Sequence, residues 1–283
     1  MPELPEVEVL ARHLRPLICG KIIHGVNVRR AKVLKPTLAQ QFRRTLIGAK
    51  FIGLSRRGKY LLFQLRAPGR NKPLTLLGHL GMTGRIYLAG KNEQMPRHAA
   101  VVLDLGGKNF IYEDTRYFGR LTLDVSAVEK LGPEPLGDDF QPASFARVLK
   151  PSRQAIKVRL LDQSVVAGIG NIYASEALFR ARISPRLPAR RLTKLQITRL
   201  WRAIREVLAE AIECGSTVPL NFGGGRSDGL FYFGRVPGAA DFYEERLRVY
   251  DRAGRPCLNC GGSIKRIKQA ARSTFYCPHC QRP

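Results

Sequence analysis

The residues best suited to covalent chemistry stand at the very start of the chain, Met1-Pro2-Glu3-Leu4-Pro5-Glu6-Val7-Glu8. Removal of Met1, favoured before a small residue such as proline, leaves Pro2 with a free secondary amine. An α-amino group titrates near ~7.7–8.0, well below the ~10.4 of lysine, so much more of it is unprotonated at neutral pH. Such an amine attacking a sugar or carbonyl carbon forms an imine-type intermediate. Glu3 is adjacent, where a carboxylic acid can pass a proton to a leaving group or ring oxygen. A plainer reading fits the same residues. Pro5 suits the first position of a helix, and Glu6 and Glu8 favour its macrodipole. That helix would run to about Leu17, with Val7, Leu10, Leu14 and Leu17 facing inward.

The second chemical constellation is at the other end. Cys257, Cys260, Cys277 and Cys280 form C-x2-C-x16-C-x2-C, a spacing that reads as a tetrahedral zinc site. Two disulfides are the alternative, disfavoured in a reducing compartment. His279 sits between two of the cysteines as a bystander. Four thiolates leave no open position for water, so one structural zinc is expected. Cys19 and Cys214 are isolated and read as buried small apolar residues.

Forty-eight basic residues stand against 22 acidic ones, a net charge of +26. The excess is spread along the chain and far exceeds the ~2–8 that a small domain needs for solubility. It calls for a polyanion, and nucleic acid fits best. At 283 residues and 44% hydrophobic content the chain can hold two modest domains and a small module. No apolar run approaches the ~20 residues of a membrane span. The acidic N-terminus is unlike a secretory signal, so the expected location is cytoplasmic, with no membrane partner.

The elements that must position these groups change character along the chain. Residues 21–125 read as short strands separated by Gly, Pro, Asn and Lys: 21–30, 51–57, 60–65, 74–77, 85–88, 99–105, 109–112 and 121–125. This pattern predicts a sandwich or barrel. Pro68-Gly69 and Gly106-Gly107 mark turns. A proline- and glycine-rich stretch, 131–139, then leads to helices over 145–149, 154–161, 171–181 and 193–213. In the last, Ile197, Leu200, Trp201, Ile204, Val207, Leu208 and Ala211 recur at helical spacing, and Thr193 with Gln196 fits a capping box. Between Cys214 and about Asp241, glycines alternate with aromatics, which suggests a long binding loop or a plain connector.

Taken together, Met1–Glu8, Arg57-Gly58-Lys59-Tyr60-Leu61, His79-Leu80-Gly81-Met82-Thr83-Gly84, Gly168-Ile169-Gly170-Asn171-Ile172-Tyr173-Ala174-Ser175-Glu176 and Ala271-Arg272-Ser273-Thr274-Phe275-Tyr276-Cys277 resemble the bacterial formamidopyrimidine-DNA glycosylases, the family that also contains endonuclease VIII. The matching segments span nearly the whole chain. Leu-Pro after Glu3 resembles the purine-lesion branch. The resemblance implies an α+β multidomain protein: an N-terminal β-sandwich, a helical helix-two-turn-helix domain and a C-terminal four-cysteine zinc-finger β-hairpin, with double-stranded DNA in the cleft between. The expected boundaries are 1–132 for the catalytic sandwich with its first helix, 133–141 for a linker, 142–245 for the helical domain with a lesion-covering loop, and 246–283 for the zinc finger. A monomer is expected.

The implied reaction is base-excision repair by a bifunctional glycosylase and abasic-site lyase acting on oxidised purines such as 8-oxoguanine and formamidopyrimidines. Pro2 would attack C1′ and form a Schiff base, with β- and δ-elimination following and Glu3 moving the protons. Glu6 and Glu176 resemble acids that order the active site, although each could be an ordinary helix acid. Lys59, His79, Asn171 and Arg272 resemble the groups that grip phosphates around the flipped nucleotide, Lys59 and Arg272 within the catalytic set. Lys157 is a further candidate for DNA or lesion contact. An enzyme that works on C1′ must take the base out of the stack, and Met82, Arg116 and Phe118 match the trio that fills the gap; core packing is the plainer role for Met82 and Phe118.

Two departures stand out. Tyr117, within Asp114-Thr115-Arg116-Tyr117-Phe118-Gly119, stands where relatives often carry a second arginine. The loop between Gly215 and Val249 is about ten residues longer than in the familiar purine-lesion enzymes. Two alternatives therefore stay open: the same chemistry on oxidised pyrimidines or hydantoins, and a non-catalytic zinc DNA-binding protein.

Overall fold

The computed structural model describes residues 2–214 and 246–282. The glycine-aromatic loop expected after Cys214 lies almost entirely outside the described residues. The chain forms two compact units. Pro2 and Glu6–Glu129 belong to the first; Glu3–Pro5, 130–214 and 246–282 belong to the second.

The first unit contains most of helix α1 (Leu4–Ile18) and eight strands: β1 (Gly25–Val28), β2 (Lys50–Arg57), β3 (Tyr60–Arg66), β4 (Leu74–His79), β5 (Gly84–Gly90), β6 (Ala99–Asp104), β7 (Lys108–Asp114) and β8 (Arg120–Thr122). They build two four-stranded antiparallel sheets, in the orders β1-β6-β7-β5 and β2-β3-β4-β8. Alternating burial along β3 shows one face turned to the core. Phe51 and Phe63 of one sheet meet Phe110 of the other, with ring centroids 6.1 and 5.5 Å apart. That contact makes the pair of sheets a sandwich with a shared core. From α1, Val7, Leu10 and Leu14 enter this core as expected. Leu17 does not: it is 39% exposed, and Ile18 is buried in its place.

Two more expectations change here. The segment expected as one strand from 21 to 30 divides its pairing. Ile22 bridges Lys50 beside the second sheet, whereas Gly25–Val28 pair with β6 in the first. A chain that crosses between sheets cannot remain one strand. The interval read as purely β also contains a short 3-10 helix, Ala31–Leu34, and helix α2 (Ala39–Leu46). Phe42 and Leu46, four apart, bury one face of α2. A one-turn helix, α3 (Ser126–Glu129), is the last element of this unit among the described residues.

The second unit holds α4 (Pro142–Leu149), α5 (Ile156–Leu160), α6 (Asn171–Arg180) and α7 (Lys194–Glu213), followed by the hairpin β9 (Lys265–Gln269) and β10 (Arg272–Tyr276). The stretch 133–141 is tied to the helices. Arg205 donates to the Pro135 and Gly137 carbonyls at 3.0 Å, and Trp201 Nε1 donates to the Phe140 carbonyl at 2.7 Å. The Thr193–Gln196 capping box opens α7 as the sequence indicated, each side chain accepting from the other's backbone N–H. Among the described residues no helix is long and apolar enough to cross a membrane. Thr193→Ala should cost about 1 kcal/mol, read as a lower midpoint in urea with an unchanged slope.

Candidate active site

In the second unit the site is built on the first turn of α6. The residue before this helix is Gly170, so no side chain is available there to cap its free N–H groups. Glu3 supplies the acceptor. Its carboxylate accepts from the backbone N–H of Gly170 at 2.7 Å, Ile172 at 2.9 Å and Tyr173 at 3.4 Å. Glu3 is 3% exposed. A carboxylate on a helix N-terminus meets both the donors and the favourable end of the macrodipole. Glycine is required at 170, because a Cβ there would overlap the Glu3 carboxyl group. At 168 the backbone is left-handed, with φ +85°, and a Cβ would stand 2.6 Å from Leu4. Leu4 N–H in turn donates to the Gly168 carbonyl at 3.0 Å. The Gly-Ile-Gly sequence is thus the seat for Glu3-Leu4.

Lys157 from α5 joins this cluster. It is almost fully buried, and burial pulls its ammonium down to about 8; the Glu3 carboxylate opposes that shift and the Arg272 guanidinium adds to it. Its Nζ donates to Asn171 Oδ1 at 2.8 Å and to Thr274 Oγ1 at 3.4 Å. Asn171 Nδ2 donates to the Ser273 carbonyl at 2.9 Å, and Tyr250 also bonds Asn171. The amide of Asn171 therefore links Lys157 to the strand that begins at Arg272. Arg272 itself is exposed, beside the two-residue turn Ala270-Ala271. Both alanines have positive φ, 45° and 61°, the signature of a type I′ turn made without glycine.

Glu176 is one turn further along α6. Its buried carboxylate accepts from the backbone N–H of Arg248, Val249 and Tyr250 at 2.8 to 3.0 Å. Burial pushes its pKa up against those bonds. The resemblance assigns Glu176 to ordering the active site; in the structure its carboxylate holds residues 248–250 to α6.

The four cysteines converge. Their sulfurs lie within 4.8 Å of one another, with Cys257 to Cys280 at 3.9 Å and Cys260 to Cys277 at 3.5 Å. A tetrahedron with Zn–S bonds of about 2.3 Å has S–S edges of about 3.8 Å. The donor set therefore fits one zinc with no place for a fifth ligand, and His279 is outside it. Cys214 is buried as expected, but Cys19 is only half-buried.

In the first unit two further groups assemble. Gly58-Lys59 is the two-residue turn between β2 and β3, and Gly58 has φ +56°. Lys59 is 6% exposed. His79 ends β4 opposite Tyr60 in register, with ring centroids 4.7 Å apart. Burial, then the Lys59 and Arg120 cations, hold His79 down to about 4, with Asp114 opposing. Its Nδ1 accepts from the Gly81 backbone N–H at 3.2 Å, so the remaining proton is on Nε2. His79 is a neutral donor.

Met82, Arg116 and Phe118 form the second group. Met82 and Phe118 are 48% and 51% exposed, which removes core packing as their role. Arg116 reaches Met82 Sδ at 3.4 Å and lies 4.7 Å over the Phe118 ring. Asp114, fully buried, shapes this turn. It accepts from Thr83 Oγ1 at 2.6 Å, Gly119 N–H at 2.8 Å and Arg116 N–H at 3.1 Å. Neither Asp114 nor Thr274 was marked by the sequence, since a polar residue in a strand pattern gives no sign that it is buried. Glu6 is fully buried in the first turn of α1.

A β-sandwich, a set of helices in which α6 opens on Gly-Ile-Gly, and a four-thiolate hairpin define a multidomain zinc-finger protein. Family models agree along the chain: the formamidopyrimidine-DNA glycosylase N-terminal domain over residues 1–121, the formamidopyrimidine-DNA glycosylase H2TH domain over 131–220, and a zinc finger found in FPG and IleRS over 254–283. The formamidopyrimidine-DNA glycosylase of Thermus thermophilus is 42% identical over 289 residues, covering 99% of this chain and 98% of that protein. The one from Carboxydothermus hydrogenoformans is 38% identical and covers both chains fully. Lactococcus lactis Fpg in complex with DNA containing an abasic site superposes with a TM-score of 0.87 at 32% identity, covering 99% of this chain and all of that one. The chain belongs to the formamidopyrimidine-DNA glycosylase family.

Two outcomes are expected. Chelation should release one zinc per chain and unfold the hairpin, because a structural zinc contributes about 10–16 kcal/mol of apparent binding free energy; circular dichroism with a zinc-sensitive dye reads both. His79 should stay neutral through pH 6 and titrate near 4, as followed by NMR of its ring carbons. The unfolded imidazole takes up its proton around 6.5 and the folded one only near 4. Stability associated with His79 is therefore complete above 6.5 and falls as pH drops through that window.

Proposed function

We propose that this protein is a bifunctional DNA glycosylase and abasic-site lyase of base-excision repair, acting on oxidised purines. The observation that carries the reading is the Glu3 carboxylate, seated on the amide groups that open α6 and directly following Pro2 in the chain. Once Met1 is removed, the Pro2 nitrogen lone pair attacks C1′ of the damaged nucleotide. The glycosidic electron pair leaves with the base, which takes up a proton, and the amine gives up its own. The nitrogen lone pair then expels O4′ from C1′, O4′ takes a proton, and the ring-opened iminium results. Loss of a proton from C2′ expels the 3′ phosphate, and a second elimination expels the 5′ phosphate. Glu3 is the group we assign to proton transfer at the ring oxygen.

The remaining residues position and grip. Lys59 and Arg272 supply cations to the phosphates around the reacting sugar. His79 offers its Nε2–H as an uncharged donor. Asn171 orients Lys157 and the Arg272 strand, and Lys157 donates toward the lesion or its phosphate. Glu6 and Glu176 support the fold around the site. Met82, Arg116 and Phe118 enter the stack when the base leaves it; the two apolar groups cover neighbouring bases and Arg116 donates to the estranged one. Cys257, Cys260, Cys277 and Cys280 hold one zinc, which supplies rigidity to the hairpin. We expect the protein to act as a monomer on double-stranded DNA in the cytoplasm, where that DNA lies.

Oxidised pyrimidines are a second reading with support of its own: Lactococcus lactis Fpg is also known in a complex with oxidised pyrimidine-containing DNA, and that chain superposes with a TM-score of 0.86. Borohydride trapping on duplexes carrying 8-oxoguanine or dihydrouracil separates the two. Pro2→Gly should lose trapping and excision while keeping most DNA affinity. Glu3→Gln should slow excision by about 10²–10⁴-fold. Normal trapping by Pro2→Gly would overturn the assignment of the nucleophile.

A further inference from the structure

Tyr117 removes a positive charge from the turn that carries Arg116 and Phe118, and the fold places another cation against it. Arg30 follows β1 and leads into the Ala31–Leu34 turn. Its backbone is fixed by a bond from its N–H to the Ala100 carbonyl at 3.1 Å. Its guanidinium lies 5.9 Å from the centre of the Tyr117 ring, Nε donates to the Tyr117 hydroxyl at 3.3 Å and Nη1 donates to the Arg29 carbonyl at 3.1 Å. Among the described residues Nη2 makes no hydrogen bond, and the phenol keeps its own proton to donate.

An exposed arginine ordinarily samples many rotamers. This one is held by two hydrogen bonds and a ring, which lowers the ordering cost of binding an anion. Tyr117 is held as well. It packs against the sandwich core and adopts φ +53°, a left-handed conformation that is uncommon for a bulky residue. The backbone N–H groups of Arg116 and Gly119, on either side of it, donate to Asp114 and hold the turn. The result is a pair of fixed donors, one charged, next to the exposed Met82, Arg116 and Phe118.

The geometry points to Arg30 and Tyr117 as a composite phosphate-binding site that grips a DNA backbone phosphate beside the point of insertion. The Arg30 guanidinium supplies the charge and the Tyr117 hydroxyl a second donor. This rests on the DNA-binding reading above. It adds Arg30, from the segment after β1, and Tyr117 to the groups that hold DNA, and it answers the charge missing at position 117 with one contributed through space.

The test is the salt dependence of binding to a duplex carrying a tetrahydrofuran abasic analogue opposite cytosine, measured by fluorescence anisotropy at several potassium chloride concentrations. Each neutralised phosphate contributes about 0.9 to the log–log slope. Arg30→Gln and Arg30→Ala should each reduce the slope by about 0.9 with an unchanged melting temperature, whereas Arg30→Lys should keep it. Arg30→Ala combined with Tyr117→Arg should regain it. Tyr117→Phe should weaken affinity and leave the slope as it was. Unaltered slope in both uncharged Arg30 variants, with normal wild-type binding, overturns this site alone. Failure of the wild-type protein to bind the duplex overturns both this site and the proposed function.

Discussion

The second unit depends on one carboxylate meeting the free end of one helix. Without Glu3, the first N–H groups of α6 would have no side-chain acceptor, because Gly170 cannot offer one. Accommodating Glu3 demands Gly170, and accommodating Leu4 demands Gly168. Once α6 starts at that point, Asn171 falls where it can hold Lys157 on one side and the Ser273 carbonyl on the other. Lys157 is then buried within electrostatic reach of the Glu3 carboxylate and the Arg272 guanidinium, with burial pulling its ammonium down to about 8. The geometry of the cluster follows from where a helix begins.

The first unit solves its positioning problem with turns. Gly58 lets β2 and β3 reverse in two residues and leaves Lys59 at the bend. Gly81, at φ +59°, presents its N–H to His79 while its Cα side lies against the Phe118–Gly119 backbone. The tautomer of His79 and the seat of the exposed turn thus share one residue. Asp114 completes the arrangement by collecting three donors from that turn and from Thr83, so Arg116 and Phe118 are displayed on a frame set from below.

Much of this was legible in the sequence, for reasons that differ by residue. The four cysteines were readable because a tetrahedral ion imposes their spacing. The capping box of α7 was readable because it is local. Short apolar strands bounded by turn residues, such as β3 and β7, appeared close to their observed limits. What the sequence obscured is set by tertiary geometry. The division of 21–30 between two sheets depends on partners that are distant in the chain. Leu17 has the helical spacing of a core residue, but the core ends at Leu14 and Ile18. Asp114 carried no mark in the sequence, and the backbone partners of Glu176 were hidden, because nothing local announces that main-chain N–H groups will surround either acid. Cys19 lacked a partner in the sequence, and its half-buried state depends on neighbours that only the fold supplies.

Glu176 has a consequence for how this protein comes apart. Its three donors are main-chain groups of residues 248–250, so this attachment to α6 requires neither the thiolates nor the ion between them. The hairpin from Lys265 to Tyr276 depends more on the thiolates, since its apolar support is small: Ile264 and Phe275 with Cys257 and Cys277 around Val249, and Phe179 and Tyr250 packed against them. The C-terminal segment therefore contains two cooperative layers. Loss of an ion from the four thiolates would therefore open the outer layer to hydrogen exchange first, while the amides of 248–250 would still be bonded to Glu176. A chain that loses its metal retains the anchored stem from which the outer layer can form again.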